Sequence, residues 1–366
     1  MGTSVAVVAM DIHKLFSKCV MMDGEGRKLG EDRVEHGDKE DMRKFFRRFP
    51  AGTGVVMEAT FNWPWIVDMA IEAGLQPHLA HSLRAREMAK EYSKTDRKDA
   101  LWLGKLFLAG EIFPASYVAP RDVRDMRSLF RQRLLLVGMR VKMKNNVHGQ
   151  LLRLGIVTDE EASDLFNLKG RKFLSCLKLS DHERRLLDEK LVTVDHLSVQ
   201  ISVLARRIRY ALKEDSRAAI MRSMPGIGEI TAYTVLAEIG EIDRFANGRA
   251  LAGYAGLLPL DKESAGHESP EHTATRSNRN LKTAYVEAAS GAIKASPRMR
   301  QLYERVKSRN QRRGGKARVA VARELAELTW ILLKRNEEYK EVVAQMAPKG
   351  TNPNQASQIA PCVGSK

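Results

Sequence analysis

Short apolar runs separated by turn residues dominate the first part of the chain. Residues 4–12 (SVAVVAMDI) form a β-rich run that ends in an acid, and residues 18–22 and 28–35 read as a second and third strand with Gly24 to Gly26 turning between them. Residues 39–49 change period: Met42, Phe45, Phe46 and Phe49 recur at helical spacing. Residues 53–58 (TGVVME) are again a strand closed by an acid. A helix over 65–73, a strand over 76–80, a helix over 83–92 and a helix over 96–109 complete this part. Three consecutive strands followed by strands alternating with helices predict a mixed sheet with helices on its faces, an α/β domain.

From residue 122 to about 154 the pattern is one long helix, with Met126, Leu129, Phe130, Leu134, Val137 and Val141 as its apolar stripe. Residues 158–180 read as irregular and mark a boundary. Val194, Leu197, Ile201, Leu204, Ile208 and Ala211 then alternate by three and four, a heptad seam that either pairs with another chain or folds back on the long helix. Met224-Pro225-Gly226-Ile227-Gly228 is a turn that opens a helix over 229–239. Gly226 and Gly228 would let backbone amides approach a phosphate there, or they simply start a structural helix. Residues 245–255 are helical, and residues 261–277 (DKESAGHESPEHTATRS) form a polar loop holding Ser264, His267, Ser269 and His272. Helices over 278–290 and 316–334 flank a basic stretch that breaks at Gly314-Gly315. Residues 346–366 have the Pro/Asn/Ser-rich composition of a disordered tail. The expected division is an α/β domain with the basic helix over 1–155, a coiled-coil and linker region over 156–215, a mostly α domain over 216–340 and a tail over 341–366.

Charge adds a partner to this picture. The 366 residues carry a formal net charge of +16. A chain this basic usually meets a polyanion, and clustering of the bases favours nucleic acid over a membrane surface. The candidate contacts are Arg124, Arg127, Arg131, Arg140, Lys142 and Lys144 on the long helix, and Arg309, Arg312 and Arg313 in the later basic stretch. Cys19, Cys176 and Cys362 are far apart and show no metal-ligand spacing, which excludes a disulfide scaffold or zinc finger as the organising device. No leader pattern and no membrane-length apolar run are present, so the expected compartment is the cytoplasm.

The candidate chemistry lies in Lys94-Thr95-Asp96-Arg97-Lys98-Asp99-Ala100. On a helix, Asp96 and Asp99 share a face. Like charges held together raise each other's pKa, and a divalent cation relieves that repulsion. Asp11 and Glu58 end the first and fourth strands, and ligands in α/β sheets gather outside the carboxyl ends of strands. If those strands are neighbours, two acids meet at one sheet edge. Solvated strand-end acids and an acid-rich helix start are the plainer reading of each residue by itself.

Three blocks resemble one family. Met10-Asp11-Ile12-His13-Lys14, Val55-Val56-Met57-Glu58-Ala59-Thr60 and the KTDRKDA stretch look like the three acidic motifs of the DEDD-type insertion-sequence transposases, a group described as bridge-RNA-guided recombinases. The section from Pro225 through Leu281, with PGIG, RALAGYAGLLP, a serine loop and SNRNLK, looks like their C-terminal domain. The resemblance implies a RuvC-like (ribonuclease-H-like) first domain, a helical and coiled-coil middle and a mostly α C-terminal transposase domain. It implies Asp11, Glu58, Asp96 and Asp99 as ligands of Mg²⁺ or Mn²⁺, and Ser264 as a nucleophile that makes a phosphoserine link to DNA, with Ser269 as the fallback. His267 and His272 read as solvated loop histidines. Donor and target DNA, a structured guide RNA and further copies of the chain as a dimer or tetramer are the implied partners, in the nucleoid of a bacterium or archaeon. Ala265 and Ser277 stand where the family has glycine. Two other activities fit the same residues: a metal-dependent junction nuclease using water alone, and a non-catalytic nucleic-acid-binding protein.

Overall fold

The computed structural model describes residues 5–80, 96–110, 117–157, 164–211, 213–258, 277–309 and 314–340. They fall into two compact units, 1–121 and 122–366. The long basic helix, grouped with the α/β domain on sequence grounds, opens the second unit.

The first unit is built on a five-stranded sheet: β1 (Val7–Ile12), β2 (Phe16–Met22), β3 (Lys28–Glu35), β4 (Gly54–Glu58) and β5 (Gln76–Ala80). The spatial order is β3-β2-β1-β4-β5. β1, β2 and β3 pair antiparallel, and β1–β4 and β4–β5 pair parallel, which is the expected mixed sheet. Central β1 is covered on both faces, which explains its unbroken apolar run. One face (Val8, Met10, Ile12, Val55, Met57) packs on α1 (Lys39–Phe46) through Met42, Phe45 and Phe46, and on α2 (Trp63–Glu72) through Ile66, Val67 and Ala70. The other face (Val7, Ala9, Val20, Met22, Val56, Ala80) packs on α3 (Asp96–Leu108) through Ala100 and Leu103. The helix expected over 83–92 lies outside the described residues.

The second unit is helical. α4 (Arg121–Arg153) has 33 residues, a rod of about 50 Å. Residues 158–180, expected to be irregular, contain α5 (Leu168–Cys176), whose N-cap Asn167 accepts from the Gly170 amide. Leu174 joins Leu165, Val147, Leu151 and Leu187 in a small core. Burial against α4 and the following helix, which local pattern cannot report, makes this short helix worth forming. α6 (Asp181–Ala211) runs antiparallel to α4: Gln150 donates to Glu183, and Arg140 approaches Ser198. Its buried residues are Leu187, Val194, Ile201, Ala205 and Ile208, so much of the heptad seam is covered within the chain.

The larger core surrounds α8 (Glu229–Ile239), which follows the short α7 (Arg217–Ser223) and is buried almost all round. A helix apolar on every side must be central. Around it lie α9 (Gly248–Tyr254), α10 (Arg279–Ala295), α11 (Pro297–Arg309) and α12 (Gly314–Arg335). The last helix, expected from 316, begins two residues earlier at Gly314. Gly226 has φ +76°, and a Cβ there would overlap the carbonyl oxygen of Ala288 and the amide of Ala292 on α10. Gly226 is therefore a packing glycine, and that side of the turn is closed to phosphate. Gly228 has nothing within 4 Å of its added Cβ. Gly226→Ala should lower unfolding free energy by more than about 2 kcal/mol, against about 1 kcal/mol or less for Gly228→Ala. Urea denaturation of the two variants measures the contrast.

Candidate functional site

Asp11 is the fifth residue of β1 and Glu58 the last of β4. The parallel register pairs Met10 with Met57, so Asp11 and Glu58 follow side by side at the carboxyl ends. Strand alternation places Asp11 with Val7 and Ala9, and Glu58 with Val56, the face that α3 covers. The condition left open by the sequence, that β1 and β4 be neighbours, is satisfied. His13 Nε2 lies 3.1 Å from Asp11 Oδ2. Asn62 Nδ2 donates to the carbonyl of His13 at 2.9 Å and ties the segment after β4 to the turn after β1.

The direction of α3 decides what reaches this edge. A Cβ on Gly104 would meet Ala9 and Met22, and one on Gly54, at the start of β4, would meet the Phe107 ring. The helix therefore descends from the carboxyl ends of β1 and β4 toward their amino ends. Its first turn, which holds Asp96 and Asp99, stands at the same end of the sheet as Asp11 and Glu58. The side chains of Asp96 and Asp99 lie outside the described residues. Among the described residues no three potential ligands cluster.

A second arrangement, missed from sequence, lies in the helical unit. Glu238 of α8 is fully buried. Arg131 grips its carboxylate with Nε to Oε1 and Nη2 to Oε2, both 2.9 Å. Asn278 Nδ2 donates to Oε2 at 2.7 Å and Asn280 Nδ2 to Oε1 at 3.2 Å. Arg127 donates to the backbone carbonyls of Ala237 and Glu238. Burial pushes the Glu238 carboxyl up, but hydrogen bonds from Arg131 and Asn278, with the charges of Arg131 and Arg127, outweigh it and hold it below its usual value. The one signal in the sequence was an acid inside an otherwise apolar helix, because a charge there needs partners.

In sequence, Asn278 of this network follows the segment that carries Ser264. The Asn278 amide donates to the Tyr254 carbonyl at 2.9 Å, and its side chain caps α10 by accepting from Leu281. Gly256, with φ +68°, lies against Ser277, and a Cβ there would overlap the Ser277 hydroxyl. Gly256 makes the room that Ser277 fills. Lys282 runs along the same point, its Cδ 3.9 Å from the Cβ that Gly256 lacks, and burial pulls its ammonium below the usual value. Ser264, Ser269, His267 and His272 fall outside the described residues.

The candidate nucleic-acid contacts divide. Arg127 and Arg131, both named as candidate contacts, donate to the protein's own carbonyls and to Glu238. A buried carboxylate favours such a fork-shaped donor, and the Arg131 side chain stays about half exposed beside it. Lys142 lines an open groove of about 490 Å³ between α4 and α6 with Asn145, Asn146, Arg153 and Lys190. Lys144 lies over the Phe166 ring at 4.3 Å, and Arg140 approaches Ser198 at 3.4 Å. Arg124 lies in the first turns of α4 and Arg309 ends α11. Arg312 and Arg313 lie outside the described residues.

Comparison with known proteins places these features. A DEDD family model described as "Transposase" matches residues 8–156, and one described as "Transposase IS116/IS110/IS902 family" matches residues 218–304. The chain is 26% identical to a "Probable family 20 transposase" of Pseudomonas aeruginosa over 325 residues, 85% of this chain and 94% of the relative. It is 26% identical to the "Transposase for insertion sequence element IS1111A" of Coxiella burnetii over 255 residues, 68% of this chain and 69% of the relative. An "Insertion element IS110 uncharacterized 43.6 kDa protein" of Streptomyces coelicolor is 33% identical over 112 residues, 31% of this chain and 28% of the relative.

Glu238→Ala leaves Arg131, Asn278 and Asn280 without their shared acceptor and should cost about 3 kcal/mol. Because the folded carboxyl is held low, its contribution is present above the unfolded carboxyl pKa of about 4 and is lost as pH falls through the folded value. Urea midpoints across acid pH should show wild type and Glu238→Gln converging as pH drops.

Proposed function

Because the chain belongs to the DEDD-type insertion-sequence transposases, enzymes that cut and rejoin DNA, we propose that it does so with a carboxylate-held divalent metal and a serine nucleophile. The observation that carries this reading is the parallel β1–β4 register, which brings Asp11 and Glu58 together on the face where α3 begins. The first unit is then a RuvC-like domain. Positions 96 and 99 precede Ala100 and Leu103 by one helical turn each, so the helix offers its first turn to the same edge. Asp11, Glu58, Asp96 and Asp99 form a hard-oxygen donor set, the chemistry that Mg²⁺ or Mn²⁺ accepts. Bound there, such ions stabilise charge on the attacking and leaving oxygens of phosphoryl transfer.

The protein's own residues supply the rest. Ser264 Oγ loses its proton and attacks the scissile phosphorus; the P–O bond to the leaving sugar breaks, and that sugar oxygen takes up a proton. Rejoining is the reverse step with a different sugar hydroxyl. Lys142, Asn145, Asn146, Arg153 and Lys190 hold a phosphate backbone in the α4–α6 groove, with Lys144, Arg140 and Arg124 along the same helix. A structured guide RNA pairs with donor and target DNA and carries the sequence choice, so the protein reads backbone and shape. The acting form is a homo-oligomer in the cytoplasm, at the nucleoid. Among the described residues no helix is long and apolar enough to cross a membrane.

Donor and target plasmids, incubated with protein and RNA transcribed from the DNA beside its gene, test this reading. Asp11→Ala, Glu58→Ala and Asp99→Ala should each lower strand cleavage by at least about two orders of magnitude while binding nucleic acid normally. Ser264→Ala should abolish the detergent-stable protein–DNA adduct. Full-rate cleavage by Ser264→Ala, with no adduct from wild type, would establish water as the nucleophile. Recombination without the RNA would remove the guide. In the groove, Lys142→Ala with Lys190→Ala should weaken binding uniformly across sequences and flatten its salt dependence by about two ions, measured by titration at several salt concentrations.

A further inference from the structure

Two large apolar side chains stand in water just past the strand-end acids. β1 ends at Ile12 and β4 at Glu58, and a short turn follows each. Phe61, in the turn after Glu58, is fully exposed, and Leu15, in the turn after Ile12, is 67% exposed. One exposed apolar residue is ordinary. Two on joined turns at one end of a sheet make a patch of the kind that marks a binding surface.

The turns are held in place. Asn62 Nδ2 donates to the carbonyls of His13 at 2.9 Å and Lys14 at 3.3 Å, so the residue after Phe61 is tied to the residue before Leu15. The Leu15 carbonyl accepts from the His36 amide at 2.8 Å, and the Thr60 amide donates to the Glu58 carbonyl at 2.8 Å. The aromatic neighbours are packed: Trp63 and Trp65 lie against the core of Met57 and Ile66, and the His13 ring lies 4.5 Å from the Phe16 ring. Phe61 alone of the aromatics in Phe61-Asn62-Trp63-Pro64-Trp65 is left outside.

The occupant has to suit both the patch and its surroundings. Lys14 is exposed in the same turn as Leu15, so a cation and an apolar side chain are offered together. That pairing suits a nucleotide strand, with a phosphate for the cation and a base for the apolar surface. The acids of a DNA-cutting enzyme stand at this end of the sheet. Phenylalanine and leucine are side chains that wedge between base steps, and every base offers a flat face to a ring whatever its identity.

We propose that Phe61 stacks on a base of the DNA strand beside the phosphate cut at the Asp11–Glu58 edge, with Leu15 holding the base step open. Phe61 is then a substrate-positioning residue. A base pinned beside the cut fixes the phosphate at the acids, and a displacement of about 1 Å at a reacting group lowers the rate on the order of 100-fold. The proposal rests on the metal reading of Asp11 and Glu58 above and needs no serine assignment.

The full-length protein, RNA transcribed from the flanking DNA, and donor duplexes with a single abasic nucleotide placed in turn at each position around the cut provide the test. Cleavage rates are taken per folded molecule. Phe61→Ala should slow cleavage of the intact donor by about 10- to 100-fold, and Phe61→Trp by less than about threefold, because tryptophan keeps the stacking face. At one position the abasic donor should slow wild type by the same factor as Phe61→Ala does, yet slow Phe61→Ala no further, the non-additivity that marks a direct contact. The ring is fully exposed, so both variants should melt with wild type.

Cleavage of the intact donor by Phe61→Ala at the wild-type rate overturns the proposal. A slow Phe61→Ala whose loss adds to that of every abasic position overturns it too, because the ring then touches no base of the cut DNA. Coupling found only with abasic nucleotides in the RNA would give the ring to the guide and also overturn it. Asp11→Ala run in parallel separates the two levels: full-rate cleavage by that variant sinks the metal reading, while the abasic coupling still reports whether Phe61 holds a base.

Discussion

Parallel pairing of β1 with β4 is the constraint on which the first unit depends. A strand offers alternate residues to opposite faces, so the register of one pair settles which side chains meet. With Met10 opposite Met57, Asp11 and Glu58 lie on one face at one end. A slip of one residue would send one acid into the Met42 and Phe46 core, where an unpaired carboxylate is costly. The hydrophobic pattern thus enforces the register that also assembles the acids. Close contact of α3 with β1 and β4 at Gly104 and Gly54 then fixes where that helix begins.

The second unit solves a different problem. Its central helix α8 is buried on every side and still carries a carboxylate. The partners come from α4 and α10, far away in sequence, and their convergence makes a polar joint inside an apolar core. Both arginines that complete it belong to the basic helix. Positive charge on that helix therefore has two uses: Arg127 and Arg131 bind the protein, and Lys142 and Arg153 line an open groove. A charge count cannot divide them, because both sets read as the same run of arginines and lysines.

Alternation of period in the sequence was enough for the mixed sheet and its flanking helices, since each local pattern reports which side of an element is apolar. The acidic motifs were legible for the same reason: Asp11 and Glu58 interrupt apolar runs at their ends. Helix α5 was not legible, because nine residues with a weak pattern become a helix only when Leu174 has a core to enter. Gly226 left two readings open, a phosphate approach or a structural helix start, and α10 closes the first. A glycine shows from sequence that the backbone needs freedom or room, but not which neighbour takes the room.

By itself the sequence determined the strands and most of the helices, the pairing of acids with strand ends, the basic character and the family, all of which are written in local order and spacing. Only the tertiary structure decided which strands are neighbours, that α6 folds back along α4, and that Glu238 gathers Arg131, Asn278 and Asn280. Those are contacts between residues up to 107 positions apart, and hydrogen bonds and burial act through distance in space, which residue order alone does not encode.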